Sequence, residues 1–476
     1  MRLGATVFLT ALLPRLAIAL AAPGTGGDTE VYRAVAGNIL RNFCVSLSDP
    51  AGGLCELHWG GNQLPGFPAF MALVHGVSGG SDTAILVAQS VLVALAAAYL
   101  AVSLREYLGS TRRAVPPAFL VALSPLGIPS TRFFLTEGLT LAITIWLFAE
   151  LIRSLAERRL RIVPLGVAFT LAVFVRYDSA LLAFPVALAA FVIHPPLEAV
   201  RRGATLSLIA ALPLAVWWAR SIALGLAPVP TVGVLPGDAM LPSGYISWGN
   251  GWVTHQYQNP GWRDPVYLLA HSKIRIDPRA YDGKQERARV EALLAQVAAY
   301  DGQAFPDHID EEFAALAAEK AAANPLRHWI LRPLERTTRM WFNPYNSSGW
   351  PVSLDTLEMT GSGGVGDGVW ALVVSNPLRA MVKGSTAVYR VGLIVAGLSL
   401  LVWSLSRAPP PFRAVIWLAA LYAASKTVFL NALVLVESRY LIGTVPMLEV
   451  AVALGVSALW IQRRRRRRCR LATAAR

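Results

Sequence analysis

The chain has 476 residues, of which 55% are hydrophobic and only 15% are charged, and its mean hydropathy is +0.48. Soluble domains carry about 25% charged residues, so the composition argues against a string of soluble domains. The formal net charge is +14, which in a soluble protein would suggest nucleic acid. Here the basic residues fill short gaps between apolar segments, so we expect no nucleic-acid partner.

Apolar stretches long enough to cross a bilayer recur from one end of the chain to the other. A transmembrane helix needs roughly 20 apolar residues. We therefore predict an all-α polytopic membrane protein with about 10 transmembrane helices, within a range of about 9–13. The predicted spans are residues 4–22, 83–103, 114–129, 138–152, 162–175, 179–195, 204–224, 387–406, 413–432 and 441–461.

The positions of the basic clusters orient these spans. If Met1 is cytoplasmic, counting the crossings places every basic cluster inside, as the positive-inside rule requires. The clusters are residues 105–113, 153–161, 198–202, 407–413 and 463–470. This predicts a multi-pass plasma-membrane protein with both termini in the cytoplasm and a tail suited to anionic headgroups. Residues 1–22 also resemble a signal peptide, but Arg15 interrupts their apolar core.

The chain divides into four predicted parts. An N-terminal transmembrane module (1–224) contains a first outer loop (23–82), and an extracytoplasmic domain (225–386) follows. The C-terminal transmembrane helices (387–462) and a basic cytoplasmic tail (463–476) complete the chain.

The extracytoplasmic domain is expected to be mainly helical. It starts with an irregular stretch rich in Gly, Pro and Trp (237–262), followed by amphipathic helices over 284–300 and 309–323. A third pattern, over 326–342, mixes Trp, Leu and Arg and suits a helix lying on the membrane.

The first outer loop contains two further features. The apolar segment 67–80 is short for a span, so we predict a helix at the outer interface. Cys44 and Cys55 share the loop, and an oxidising compartment makes a disulfide between them plausible. Two unpaired thiols are the alternative.

Carboxylates and arginines gather where the predicted spans reach the outer surface. Ionisable groups near membrane depth are costly and usually mark a functional cavity, so these predict a polar site that faces outward. The residues are Asp28, Glu30, Arg132, Glu137, Arg176, Asp178, Arg220, Glu437 and Arg439.

Structural roles also fit several of these residues. Asp28 suits a helix N-cap, with Glu30 favoured by the helix dipole. Arg132, Arg176 and Arg439 each suit an interfacial anchor, and Asp178 is expected to pair with a neighbour.

The stretch "GDTEVYRAVAGNIL" (27–40), followed by "HWGGNQLPGFPAFMALVHGVSG" (58–79), resembles the first-loop pattern of the GT-C glycosyltransferases. The similar branch contains the protein O-mannosyltransferases and the lipid A aminoarabinose transferases. Further similar pieces follow in the same order, at 130–148, 174–185, 217–225, 324–342 and 437–448. The chain departs from the family's pattern where an Asp-Glu pair is Asp-Thr-Glu, where paired prolines are Leu64-Pro65, and where Arg-Pro is Arg176-Tyr177.

The resemblance implies a GT-C-like fold and an inverting transferase that takes a sugar from a polyprenyl-phosphate donor. It implies that Asp28 is the general base and that Glu137 is a second catalytic acidic residue. The expected donor-phosphate ligands are, in falling order, Arg439, Arg220, Arg176 and Arg132. Further substrate-binding candidates are Glu30, His58, Tyr345 and Glu437, although His58 is more often structural.

The implied partners are the lipid-linked donor, membrane lipids, and a protein, lipid or glycan acceptor. We predict no cofactor and no metal site, because no dense carboxylate cluster is visible, although some GT-C enzymes use a divalent metal. The main alternative is a transporter or flippase of a lipid-linked sugar. Such carriers often show inverted repeats and helices broken at mid-membrane, and the sequence shows neither. A ligase that moves a whole glycan from a lipid pyrophosphate and a non-catalytic assembly protein would share the architecture.

Overall fold

The computed structural model of the protein describes residues 2–26, 28–46, 64–223, 234–235, 239–240, 243–254, 276–298, 306–342, 373–374, 377–433 and 436–474. The first nine helices in these ranges are α1 (Arg2–Ala21), α2 (Thr29–Asn42), α3 (Gly66–Ser78), α4 (Asp82–Leu108), α5 (Thr111–Ala122), α6 (Thr136–Glu157), α7 (Ile162–Val175), α8 (Ala183–Ile193) and α9 (Pro196–Ala223). The remaining helices are α10 (Ser243–Asn250), α11 (Lys284–Ala298), α12 (Asp307–Ala323), α13 (Arg332–Phe342), α14 (Pro377–Ser406), α15 (Pro410–Ala432) and α16 (Val445–Ala474). The described ranges also contain one short antiparallel pair, β1 (Val234–Leu235) and β2 (Ala239–Met240). Shorter turns are the 3₁₀ turns Pro129–Arg132, Tyr177–Leu182, Pro278–Ala280 and Ser438–Thr444 and the π turn Arg327–Leu331.

The membrane-spanning helices agree with the prediction except at residues 114–129. Seven of the described helices are long and apolar enough to cross a bilayer, and three shorter apolar helices cover Gly66–Ser78, Ile162–Val175 and Tyr177–Ile193. Nine of the ten predicted spans coincide with one of these helices, whereas the predicted span 114–129 overlaps only helix α5 and the turn Pro129–Arg132. The all-α multi-pass class is therefore confirmed.

Helix α5 is too short to cross the membrane, and a buried arginine donates hydrogen bonds to the carbonyl groups at its C-terminus. Its 12 residues rise about 18 Å, well short of the roughly 30 Å hydrocarbon core. The last carbonyls of such a helix need partners inside the bundle. Arg15 of α1 is fully buried and donates to the carbonyl oxygens of Ala122 (2.7 Å) and Val121 (3.4 Å). The charge that interrupts the first span is thus part of the packing.

Two short helices lie at the end of the bundle where α1 ends. Tyr32 of α2 packs edge-on against Phe67 of α3, with ring centroids 5.1 Å apart. A Cβ at Gly66 would lie 2.5 Å from the carbonyl oxygen of Phe174, so only glycine allows α3 to start against the end of α7. Helix α3 is the short apolar segment predicted to lie at the interface, and it has only 13 residues.

The described part of residues 243–342 has its own aromatic core. Tyr245, Trp248 and Trp252 pack with Phe313 of α12. The sequence predicted no regular structure over 237–262, and this is wrong where α10 forms. The carboxylate of Asp310 accepts hydrogen bonds from the backbone N–H groups of Gly244 and Tyr245, both at 2.9 Å. A partner distant in sequence therefore starts this helix, together with the buried rings.

The segment before and within α13 buries one arginine and exposes large apolar side chains. A wide π turn at Arg327–Leu331 precedes α13. It accommodates Pro333, which lacks an N–H and would crowd the carbonyl of a normal turn. Arg336 is buried and donates to Asn431 Oδ1 of α15 (3.3 Å). Large apolar side chains face outward, as on a helix that lies in an apolar medium. They are Leu326, Trp329, Ile330, Leu331 and Leu334.

Candidate active site

Four chain segments meet at one end of the bundle, which we call the site end. They are the first turn of α2, the first turn of α6, the residues between α7 and α8, and the 3₁₀ turn Ser438–Thr444 that leads into α16. They bring together the side chains of Asp28, Glu137, Arg176 and Arg439. Four predicted site residues from distant parts of the chain thus form one cluster.

A backbone contact places the start of α2 next to the start of α6. Gly24 pairs with Phe133 in an isolated parallel bridge, and its N–H donates to the carbonyl of Arg132 at 2.9 Å. A Cβ at Gly24 would lie 2.5 Å from the Phe133 ring, so this approach requires glycine. Thr29, the first residue of α2, donates to the carbonyl of Phe134 (3.4 Å). The two acidic helix starts are therefore held together.

Arg439 is the centre of the charged cluster. Its Nη2 lies 3.9 Å from Asp28 Oδ2, its Nε lies 3.9 Å from Glu137 Oε1, and it also pairs closely with Glu437. Arg176 approaches Glu137 from another direction, with Nη1 at 3.8 Å from Oε1. Glu137 thus lies between two guanidinium groups.

The two candidate catalytic carboxylates differ in their access to substrate. The Glu137 side chain is 7% exposed, whereas that of Asp28 is 29% exposed. Asp28 immediately precedes α2, yet its side chain makes no capping hydrogen bond to the helix, so the capping alternative is not observed. Asp28 is consequently the more accessible carboxylate. Oε2 of Glu137 is buried and has no hydrogen-bond partner within the described part of the chain, so it can accept a hydrogen bond from a substrate hydroxyl.

Two tyrosines that the sequence analysis did not single out complete the cluster. The guanidiniums of Arg176 and Arg439 lie 4.6 Å and 5.0 Å from the centre of the Tyr440 ring. Burial, together with the nearby charges of Asp28 and Glu137, raises the pKa of Tyr32, so its hydroxyl stays protonated. The available signal for Tyr32 was its spacing, because residues four apart share one face of a helix.

A second missed residue is Lys426, which lies within α15. Its Nζ lies 3.3 Å from Asp178 Oδ2, and Asp178 also pairs with Arg176 (Nε to Oδ1, 3.2 Å). The expectation that Asp178 pairs with a neighbour is confirmed. A lone charge in the apolar stretch 413–432 was the signal that could have identified Lys426.

The other two predicted arginines have no carboxylate partner among the described residues. Arg220 donates to the carbonyl of Val45 (3.4 Å) and stacks on Trp217, while its buried Nη1 has no hydrogen bond to the described residues. Arg132 stacks on the Phe133 ring, and burial lowers the pKa of its guanidinium. Both can therefore accept an anionic group without breaking an ion pair.

An apolar groove of about 1190 Å³ begins beside Arg220. Helices α3, α4, α6, α7 and α9 line it, and Leu139 on its wall is close in sequence to Glu137. At its far end Tyr99 donates a hydrogen bond to Glu150 (2.7 Å). Because its walls are mainly hydrocarbon, the groove suits a lipid chain rather than a polar ligand.

The remaining predicted residues have varied positions. Glu30 is exposed and pairs with Arg33 (2.6 Å), and Glu437 pairs with Arg439. Cys44 is disulfide-bonded, while Cys55, His58 and Tyr345 lie outside the described residues, so the Cys44–Cys55 pairing stays a prediction. Across the described ranges, no group of three or more His, Cys, Asp and Glu side chains is arranged to hold a metal.

Comparison with known proteins gives one family match. Residues 62–218, about a third of the chain, match the family model described as dolichyl-phosphate-mannose-protein mannosyltransferase. This segment contains Glu137 and Arg176 and most of the groove, but not Asp28, Arg220 or Arg439. No curated protein matches the chain.

One solved structure that matches is the archaeal oligosaccharyltransferase AglB from Archaeoglobus fulgidus, in complex with an inhibitory peptide and a dolichol-phosphate. The match has 14% sequence identity, a TM-score of 0.44 and covers 98% of this chain. It covers 52% of the AglB chain, so the protein spans about half the length of that structure. The family match confirms the resemblance seen in the sequence: over residues 62–218 the chain is similar to the membrane glycosyltransferases of the GT-C superfamily.

Proposed function

We propose that the protein moves a sugar from a polyprenyl-phosphate donor to an acceptor hydroxyl at the extracytoplasmic face of the membrane. The observation that carries this proposal is one accessible carboxylate, Asp28, beside the guanidinium of Arg439 at the site end. The carboxylate supplies a base for a hydroxyl, and the cations supply charge for a phosphate leaving group. In this proposal the site end faces outward and both termini are cytoplasmic.

The groove supports a lipid-linked donor. A hydrocarbon chain can lie in the groove while its phosphate meets Arg220, which has no carboxylate partner among the described residues. Arginine binds phosphate oxygens through its planar fork. The matched family description also names a dolichyl-phosphate sugar. Because Arg439 and Arg176 already pair with carboxylates, we place Arg220 ahead of them as the first phosphate ligand.

The transfer then follows as a single displacement. Asp28 takes the proton of the acceptor hydroxyl while that oxygen attacks the anomeric carbon. The bond between this carbon and the phosphate oxygen breaks, polyprenyl phosphate leaves, and the anomeric centre inverts. Arg439 lies beside Asp28 and Glu137 and stabilises the negative charge that develops on the leaving phosphate. Glu137, enclosed by two guanidiniums, orients the acceptor, and the protonated Tyr32 can donate a hydrogen bond.

The domain over 225–386 is proposed to cover the site and to select the acceptor. Its described part connects to the bundle through α13, where Trp341 Nε1 donates to Thr427 Oγ1 of α15 (3.0 Å). Its aromatic core includes Tyr440, and the guanidiniums of Arg176 and Arg439 lie over the ring of that tyrosine. A change in this domain can therefore reach the charged cluster directly.

The test uses the full-length protein in liposomes with dolichyl phosphate mannose as donor and hydroxyl-bearing peptides and glycolipids as acceptors. Mannose transfer and release of dolichyl phosphate are measured. Asp28→Asn removes the base and is expected to lower turnover by a factor of about 10²–10⁴. Asp307→Asn, at an exposed aspartate of α12, is the matched control and should retain activity. Wild-type turnover in Asp28→Asn would overturn the assignment of the base.

A flippase of a lipid-linked sugar is the second candidate, because the groove continues from Arg220 to Tyr99 and Glu150. The same liposomes distinguish the two functions. A flippase moves a fluorescent polyprenyl-phosphate sugar between leaflets without releasing the sugar, and Asp28→Asn should leave that movement intact. An enzyme releases polyprenyl phosphate in an Asp28-dependent way.

A further inference from the structure

Lys426 is a fully buried cation within a transmembrane helix, and the transfer reaction described above does not use it. At 1.5 Å per residue it lies about 9 Å along the axis from Ala432, the last residue of α15. A charge at that depth is costly and needs partners inside the protein. The contacts of the Lys426 ammonium group therefore indicate its role.

Among the described residues, the ammonium group of Lys426 has two polar side-chain neighbours. Asp178 Oδ2 lies 3.3 Å away, and the hydroxyl of Tyr422 lies at 3.5 Å. A Cβ at Gly443 would lie 3.6 Å from Lys426 Nζ and 3.3 Å from the Tyr422 hydroxyl. The 3₁₀ turn that contains Arg439 thus packs directly against Lys426 and Tyr422.

Asp178 connects Lys426 to an arginine of the site. Its carboxylate accepts hydrogen bonds from Arg176 Nε (3.2 Å, to Oδ1) and Nη2 (3.3 Å, to Oδ2). This bidentate pairing fixes the plane of the guanidinium. The remaining nitrogen, Nη1, then faces Thr136 Oγ1 (3.1 Å) and Glu137 Oε1 (3.8 Å).

The balance of charge in the cluster also depends on Lys426. Three cations face the four carboxylates of the connected pairs, and without Lys426 only two would remain. The carboxylates are Asp28, Glu137, Asp178 and Glu437, and the cations are Arg176, Arg439 and Lys426. An additional uncompensated negative charge would oppose the binding of an anionic donor.

We propose that Lys426 is a positioning residue of the transferase site: it anchors Asp178, which aims Arg176 at Glu137. This inference rests on the proposed transferase function. Without the anchor, Asp178 is free to rotate and Arg176 with it, so Glu137 loses one of its two guanidiniums. A small misplacement of such groups lowers turnover more than it lowers donor binding, and we expect kcat to fall by about 10- to 100-fold.

The informative variant removes the buried pair as a unit. Lys426→Met/Asp178→Asn removes one charge of each sign and leaves Arg176 with Glu137 as its carboxylate partner. Exchanging both partners of a buried pair is far better tolerated than removing one. If the pair aims Arg176, this variant keeps a melting temperature near that of wild type but loses kcat, with KM for dolichyl phosphate mannose changed by less than about twofold. Wild-type kcat in a folded double variant would overturn the proposal, because the pair would then be only structural.

A matched control removes another buried polar pair of the bundle. The hydroxyl of Tyr389 donates to the fully buried Glu449 at 2.6 Å. Tyr389→Phe/Glu449→Gln should change the melting temperature without changing kcat. If this control lowered kcat as much as Lys426→Met/Asp178→Asn, a general loss of packing would explain both results and the proposal would fail.

A double-mutant cycle measured by melting temperature tests whether Asp178 connects Lys426 to Arg176. It needs no assay of sugar transfer, so it separates this inference from the proposed function. Lys426→Met and Arg176→Met should be more than additive in lowering the melting temperature, because together they leave Asp178 unpaired. In an Asp178→Asn background the two losses should become additive. Additive losses with Asp178 present would overturn the anchoring role, even if the wild-type protein transfers sugar. If the cycle is coupled but wild type transfers nothing, it is the proposed function that fails.

Discussion

The carboxylate of Asp28 lies 3.9 Å from the guanidinium of Arg439, although the two residues come from opposite ends of the chain. Asp28 is held by the pairing of Gly24 with Phe133, and Arg439 by its contacts with Glu437 and Tyr440. The base and the cation are thus fixed by independent parts of the fold.

This relationship predicts that the shape of the Arg439 side chain matters as well as its charge. Arg439→Lys keeps the charge but cannot reach Asp28, Glu137 and Glu437 together, because an ammonium has no planar fork. We expect turnover of dolichyl phosphate mannose to fall by about 10²–10³-fold in Arg439→Lys, as when one group that stabilises transition-state charge is lost. Arg279→Lys, at an exposed ion pair with Asp277, is the control and should be neutral. Equal turnover in wild type and Arg439→Lys would contradict the role.

Arg220 is predicted to act on donor binding. It lies at the mouth of the groove and, within the described chain, pairs with no carboxylate, so it can hold phosphate in the ground state and the transition state alike. Arg220→Gln should raise KM for the lipid-linked donor by about 10-fold or more with kcat little changed, the pattern of lost uniform binding. Arg132→Gln should have a smaller effect, because Arg132, which also has no ion pair to the described residues, does not line the groove. A larger effect at Arg132 would reverse the order of the two phosphate ligands.

The groove is predicted to hold the hydrocarbon chain of the donor. Ala142 lines it on α6, so Ala142→Trp should fill part of the space that the chain needs. Turnover of a long-chain polyprenyl donor should fall, while a donor with a chain of one or two isoprene units should be affected much less. Val163→Trp, at an exposed position of α7 outside the groove, controls for the added ring. Equal losses for long and short donors would show that the substitution damages the fold instead.

The sequence predicted the spans and the acidic layer better than the contacts inside that layer. Hydrophobic length and the positions of basic loops are local signals, so they located nine of the ten predicted spans and gathered Asp28, Glu137, Arg176 and Arg439 at one surface. The pairing within the cluster depends on distant segments, which explains why Lys426 and Tyr440 were missed. Arg15 illustrates the same limit, because its partners are the carbonyls at the end of a helix that is far away in sequence.

The last prediction concerns the exposed apolar side of residues 326–342. Trp329 and Ile330 are 69% and 56% exposed, whereas Arg336 on the other side is 3% exposed. Large apolar side chains grouped on one outward face are typical of a helix at a membrane surface, so we expect this face to enter the headgroup boundary by about 5–10 Å. Arg327, Arg332 and Arg339 of the segment already pair with Asp282 or Glu335, and Arg336 is buried, so binding should depend little on anionic lipid or salt.

A nitroxide label attached at Ile330→Cys measures this depth in liposomes. We expect the label to be reached by oxygen dissolved in the bilayer and shielded from a water-soluble relaxation agent. The same label at Glu311→Cys, an exposed position of α12, should show the opposite preference. Full access of the aqueous agent to position 330 in both neutral and anionic liposomes would mean that this face meets water or a protein partner, and the membrane-surface role of the segment would be abandoned.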